Sequence, residues 1–259
     1  MNITKIILCI AMSLTLLLSG CGGKTAGGDG SQNAKEAVEQ TLSAKESKTA
    51  ANAKASNAAG VPKSAELLAT IPPFSGKPYV TVNNNKPYFT KSEITREAFE
   101  KYSELDKLGR PGVAFACIGV EIMPTEKRGK IGQIKPPGWH TARYDDLIKD
   151  KYLYNRCHLI AFMLAGENAN EKNLITGTRY FNTEAMLPFE QEVFNYVKNS
   201  KNHAMYRVTP VYDGDNLVAS GVLMEAKSVE NDKLEFCVYC YNVQPGVGID
   251  YKTGESWRE

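Results

Sequence analysis

No Phe, Tyr or Trp occurs before Phe74 in this chain of 259 residues. A segment without aromatics and rich in Ala, Gly, Ser, Lys and Asn buries too little apolar surface to offset the entropy of ordering it. A packed core must therefore be built from about residue 71 onward. Charge divides at the same place. Residues 1–70 carry seven Lys and Arg against five Asp and Glu, and residues 71–259 carry 24 of each. The net charge of +2 belongs to the N-terminal part. The aromatic-rich part is formally neutral, which excludes a generic basic coat for polyanions. Any binding of nucleic acid has to come from a local cluster of Arg and Lys.

The first seventy residues read as an address and a tether. Lys5 precedes an apolar run from Ile6 to Leu18, and Ser19-Gly20 follows. A basic start, a short apolar stretch and a small-residue end mark an export signal over residues 1–20. The run is short for a membrane span. Leu18-Ser19-Gly20-Cys21 resembles the lipobox of bacterial lipoproteins. That resemblance implies cleavage before Cys21 and lipid attachment to it, with a membrane as the partner of the lipid. Residues 21–70 are then a lipidated cysteine and flexible tether, and residues 71–259 the folded domain. The expected location is the outer face of the cell membrane.

Within the domain, Tyr79–Val82 and Val113–Met123 read as strands, and Asn83–Pro87 as a turn. Thr90–Leu105 reads as a helix, with Glu93, Glu97, Glu100 and Glu104 on a solvated face. Lys127–Trp139 is a loop rich in Gly, Pro and Lys. A second helix is expected over about Thr183–Asn199, on a stripe of Met186, Leu187, Phe189, Val193, Phe194 and Val197. Tyr206–Tyr212, Leu217–Ala226 and Leu234–Tyr241 read as three consecutive strands, with a hairpin turn at Asp213–Asn216. The expected class is α+β, a central antiparallel sheet with inserted helices.

Chemistry concentrates in Asn155-Arg156-Cys157-His158, followed by Asn173, Asn182 and Glu190. A neutral histidine can accept a proton from water near pH 7, and His158 is the candidate base. Arg156 beside it suits a phosphate clamp, with Arg179 and Arg143 as second-rank substrate contacts. Glu190 lies eight residues, about two helical turns, beyond Asn182. The set resembles the DNA/RNA non-specific endonucleases, the ββα-metal nucleases. These carry an Asp-Arg-Gly-His motif, a downstream Asn opening a helix and a Glu one or two turns later. The resemblance covers residues 71–259 and is sharpest over 152–194.

It implies a ββα-metal site that hydrolyses phosphodiesters of DNA, with RNA left open, and no sequence specificity. His158, Arg156, Glu190 and Asn173 would be the catalytic set. Asn182 would be the direct ligand of Mg2+, with Mn2+ an admissible substitute, and Glu190 would act through the ion's waters. No feature marks a protein partner. Two departures stand out, Asn155 for the family's Asp and Cys157 for its Gly. They keep a rival reading open: a surface-anchored nucleic-acid-binding protein with weak or no catalysis, for example in DNA uptake. Cys117, Cys157, Cys237 and Cys240 leave disulfide pairing open. Cys237-Val238-Tyr239-Cys240 is unsuited to zinc, because residues three apart on a strand face opposite ways.

Overall fold

A computed structural model of the chain describes residues 60–259. The export signal, Cys21 and most of the tether lie outside those residues. The packed part starts ahead of the boundary expected at residue 71. Helix α1 (Ser64–Thr70) buries Leu67, and Val61 and Leu68 pack beside it.

The centre is a six-stranded antiparallel sheet. Its strands are β1 (Tyr79–Thr81), β2 (Phe99–Tyr102), β3 (Ala114–Ile118), β6 (Ala204–Val211), β7 (Gly221–Ser228) and β8 (Glu235–Tyr241), in the order β1-β8-β7-β6-β3-β2. Two ribbons stand apart from it. One pairs β4 (Tyr154–His158) with β5 (Leu174–Thr178), and the other pairs β9 (Val247–Ile249) with β10 (Ser256–Arg258). Helix α2 (Phe162–Ala165) follows β4. A π-helical segment, Phe181–Met186, runs straight into helix α3 (Leu187–Ser200). The α+β class with a central antiparallel sheet is thus observed.

Both faces of the sheet are covered, and strand alternation divides the side chains between them. Ala116, Tyr206, Ala226 and Phe236 form one row across β3, β6, β7 and β8, in register. They belong to the front core, where Phe189, Val193 and Val197 of α3 close over them. Phe115, Arg207, Glu225 and Cys237 form the neighbouring row on the back. There Leu67, Val82, Leu223 and Tyr239 build a second core. Cys237 lies in the back core and Cys240 in the front one, as the strand argument requires. Cys117, Cys157, Cys237 and Cys240 are all free and buried.

The helix expected over Thr90–Leu105 does not form. Thr90 donates its backbone N–H (2.7 Å) and its hydroxyl (2.9 Å) to the Glu93 carboxylate. That is a helix-start contact, yet here it closes only a turn. Glu93 also accepts from the buried Arg207 at 3.0 Å. Phe99–Tyr102 then pairs with β3, and Phe99 sets its ring edge-on to Phe115 at 5.2 Å. Burial against the sheet and an ionic anchor outweigh a local helical preference of a few tenths of a kcal/mol per residue. The expected turn at Asn83–Pro87 is present. Asn83, Asn84 and Asn85 all take positive φ, between 50° and 63°, a conformation Asn tolerates better than other side chains.

Candidate active site

Strand β4 presents the motif. Residues two apart on a strand share a side, so Arg156 and His158 face a cleft while Cys157 turns into the front core. The ribbon closes tightly there. A Cβ on Gly177 would lie 2.5 Å from Cys157 Sγ and 2.6 Å from the Phe181 ring, so only glycine fits opposite the motif.

His158 is 6% exposed. Its Nε2 lies 2.8 Å from the Asn168 carbonyl oxygen, which can only accept, so the proton sits on Nε2. Nδ1 therefore carries the lone pair, and the Arg128 guanidinium donates toward it at 3.3 Å. Burial pushes the His158 pKa down to about 4; the Asn168 bond opposes that shift and the Arg128 charge adds to it. The imidazole is neutral at pH 7, with a basic nitrogen turned toward a cationic side chain.

Asn182 and Glu190 line the same cleft as His158. In a uniform α-helix an eight-residue separation overshoots two turns of 3.6. Here the first turn is π-helical, with Leu187 N–H bonded to the Asn182 carbonyl five residues back. A turn closed that way holds about one residue more. One wide turn and one ordinary turn together take about eight residues, which brings Glu190 under Asn182. Glu190, Val193 and Val197 occupy the inner side of α3. Burial raises the Glu190 pKa to about 8, opposed by Arg128, and the carboxyl forms no hydrogen bond with a described residue.

Each remaining candidate has its own place. Arg156 donates to the carbonyls of Ile134 and Gly132, the latter at 2.8 Å. Its guanidinium stacks 3.9 Å from the centre of the Trp139 ring. It thereby ties the Gly- and Lys-rich loop to β4 while lining the cleft. Arg179 stands at the cleft edge in an ion pair with Asp150 at 2.6 Å. Asn173 is fully buried. Its Oδ1 accepts from Ile160 N–H at 2.8 Å and its Nδ2 donates to Ile160 O at 3.0 Å. It clasps the chain just after His158 and does not line the cleft. Arg143 is also outside it, paired with Asp145 at 2.8 Å and lying over the Tyr152 ring. Asn155, at the position of the family's Asp, lines the cleft and buries an Nδ2 donor that has no partner among the described residues.

Lys127-Arg128-Gly129-Lys130 reads in the sequence as a short basic loop, solvated or in contact with nucleic acid, and nothing local places Arg128 beside His158. The one signal of Arg128 is a cation in a Gly-rich loop. The loop's return to β4 depends on Arg156, which no local pattern reveals.

The cleft encloses about 480 Å³. Arg128, Arg156 and Arg179 give it a positive lining against the single carboxyl of Glu190. Among the described residues no group of three or more His, Cys, Asp or Glu comes together. The donors fit a hard, hydrated cation, which takes oxygen ligands and retains most of its waters. Asn182 Oδ1 and the Glu190 carboxylate are such oxygens, and neither is engaged by a described residue.

Comparison with known proteins identifies the family. A model of the DNA/RNA non-specific endonucleases matches residues 89–230. A deoxyribonuclease of Streptococcus dysgalactiae subsp. equisimilis is 31% identical over 110 residues, 40% of this chain and 33% of that protein. The chain thus spans about a third of that relative's length. The crystal structure of NucA from Streptococcus agalactiae with magnesium bound has a TM-score of 0.62 at 26% identity, covering 69% of this chain and 87% of that one. Its metal-free form has the same TM-score at 28% identity, covering 72% and 90%. The zinc-bound Sda1 nuclease shares the fold, with a TM-score of 0.59 at 24% identity over 71% of this chain and 97% of that one. This chain belongs to the DNA/RNA non-specific endonuclease family.

Proposed function

We propose that this protein is a divalent-metal-dependent endonuclease that hydrolyses phosphodiester bonds of DNA, and of RNA as a second substrate, without sequence specificity. The observation that carries this reading is the His158 geometry: a neutral imidazole whose basic Nδ1 faces a cleft lined by three arginines and two oxygen donors. Asn182 would hold the ion directly and Glu190 through its waters. A magnesium ion held there would supply Lewis-acid stabilisation of charge on the phosphate oxygens. His158 Nδ1 takes a proton from the attacking water as the new O–P bond forms. The P–O bond on the far side breaks, and its oxygen takes a proton from solvent. The Asn168 carbonyl holds the ring in the tautomer this requires. Arg128 and Arg179 bind phosphate oxygens, which draws Arg128 away from Nδ1. Contacts of this kind are to the backbone of the substrate, so they position it without reading sequence.

The rival reading, a nucleic-acid-binding protein with weak catalysis, draws on Asn155 and on Arg128 lying against the basic nitrogen. One experiment separates the two. Plasmid DNA and magnesium are incubated with the full chain and with His158→Ala. The nuclease reading expects degradation that stops with EDTA and in the variant. Intact DNA with the folded parent across several divalent ions would leave binding as the function.

We further propose, from Leu18–Cys21, that the enzyme is lipidated at Cys21 and held at the outer membrane face of the cell. Incorporation of labelled palmitate, lost in Cys21→Ala, is the expected result. Equal labelling of that variant would remove the anchor from the proposal.

A further inference from the structure

Beside the cleft lies a second cavity of about 380 Å³. Trp139, Tyr154, Asn155 and Arg156 form the wall common to both. Lys135 and Tyr152 complete it on the far side, and no Asp or Glu lines it. Its size falls in the range of about 300–1,000 Å³ that holds small organic ligands.

Three observations say what it would hold. Tyr152 is 48% exposed, with Arg143 over its ring at 5.3 Å. A large ring kept at the surface and steadied by a cation is a stacking platform. Lys135, exposed at the rim, is a cation with no ion pair among the described residues. Asn155 belongs to the wall between the two cavities, and its Nδ2 is a buried donor with no partner among the described residues. Buried donors are nearly always satisfied, so this one calls for an acceptor from a ligand. An aromatic surface, a cation and an open amide donor suit a base, a phosphate and a carbonyl or phosphate oxygen in that order.

We propose that this cavity is a nucleotide subsite: it receives one unpaired nucleotide of the substrate strand, next to the phosphodiester in the His158 cleft. The inference deepens the nuclease reading and rests on it for the position of the scissile bond. A base in a duplex has its faces covered by neighbours, so the subsite favours single strands, ends and gaps.

The test uses the full chain carrying His158→Ala, in EDTA, with labelled single-stranded oligodeoxynucleotides followed by fluorescence anisotropy. Tyr152→Ala is expected to weaken binding roughly 5- to 100-fold, and Tyr152→Phe to leave it unchanged. Lys135→Ala should weaken binding and lower its salt dependence. An oligonucleotide with one abasic residue should bind the otherwise unchanged protein less well, and the Tyr152→Ala variant no less well than the intact strand. Parent-like binding by both Tyr152→Ala and Lys135→Ala would overturn the subsite. So would an abasic penalty that persists in Tyr152→Ala. Circular dichroism melts confirm that the variants fold. Plasmid cleavage by the parent is scored separately. Cleavage with unaltered affinities defeats the subsite alone, whereas absent cleavage defeats the nuclease reading while anisotropy still decides the subsite.

Discussion

The two faces of the central sheet bury charge in opposite ways. On the back, Arg207 and Glu225 are both fully buried and bonded in a bidentate pair at 2.8 and 3.2 Å. Glu93 takes a third guanidinium N–H, and Tyr88 N–H donates to Glu225 at 2.6 Å. The Phe89 ring covers the guanidinium at 4.7 Å. On the front, Glu190 is buried with no hydrogen-bond partner among the described residues. Four buried side-chain polar atoms lack a partner among the described residues. Tyr206 is on the front, Asn155 and Asn168 stand by the His158 cleft, and Thr209 is on the back beside Leu223. A charge that the protein itself satisfies holds the fold together. One left unsatisfied is held for something that arrives from outside.

Crossed substitutions test that division, and the largest effect is expected in activity. His158→Ala should lower kcat by about 10²–10⁴, the usual contribution of a general base, in a chain that stays folded by circular dichroism. Glu225→Gln should do the reverse. Breaking one partner of a buried pair costs about 3–5 kcal/mol, read in a denaturant melt, with turnover per folded molecule retained. If Glu225→Gln abolished turnover in the folded fraction, or His158→Ala unfolded the chain, the two faces would not be separable in function.

A smaller effect concerns pH. The Glu190 carboxyl is raised from 4.5 to about 8 in the folded chain. It therefore favours folding below about pH 4.5, and that contribution is lost as pH rises through about 8. His158 is lowered from 6.5 to about 4. Its contribution is present above 6.5 and is lost as pH falls through about 4. In EDTA, Glu190→Gln should stabilise the chain by on the order of 1–3 kcal/mol at about pH 9, and by less near pH 5, while activity in magnesium falls. A melt at alkaline pH in which the variant matches the parent would return Glu190 to the satisfied class.

How much of this was legible in sequence follows from where each signal lies. Asn155 to His158, Asn182 and Glu190 are close in the chain, and their resemblance to the family's motif and spacing drew them into one candidate site. The three long strands β6, β7 and β8 were readable because they alternate between two apolar cores. Strands β4 and β5 were not, since Asn-Arg-Cys-His mixes cleft and core residues without apolar alternation. Phe99–Tyr102 was read as helix because Glu93, Glu97, Glu100 and Glu104 are spaced like a solvated face. In the structure Glu93 is committed to Arg207, 114 residues away, and local spacing cannot encode such a partner. The approach of Arg128 to His158, 30 residues on, escaped for the same reason.

The π-turn ahead of α3 amounts to one residue more than a regular helix would contain. Removing that residue, at Thr183 or Glu184 for instance, would let the helix close with ordinary bonds and improve its backbone geometry. The inner stripe of Val193 and Val197 would keep its seat on the sheet. Asn182 and Glu190 would then be seven residues apart, about two ordinary turns, and would still share a side of the helix. The wide turn thus absorbs one additional residue between the two oxygens without parting them.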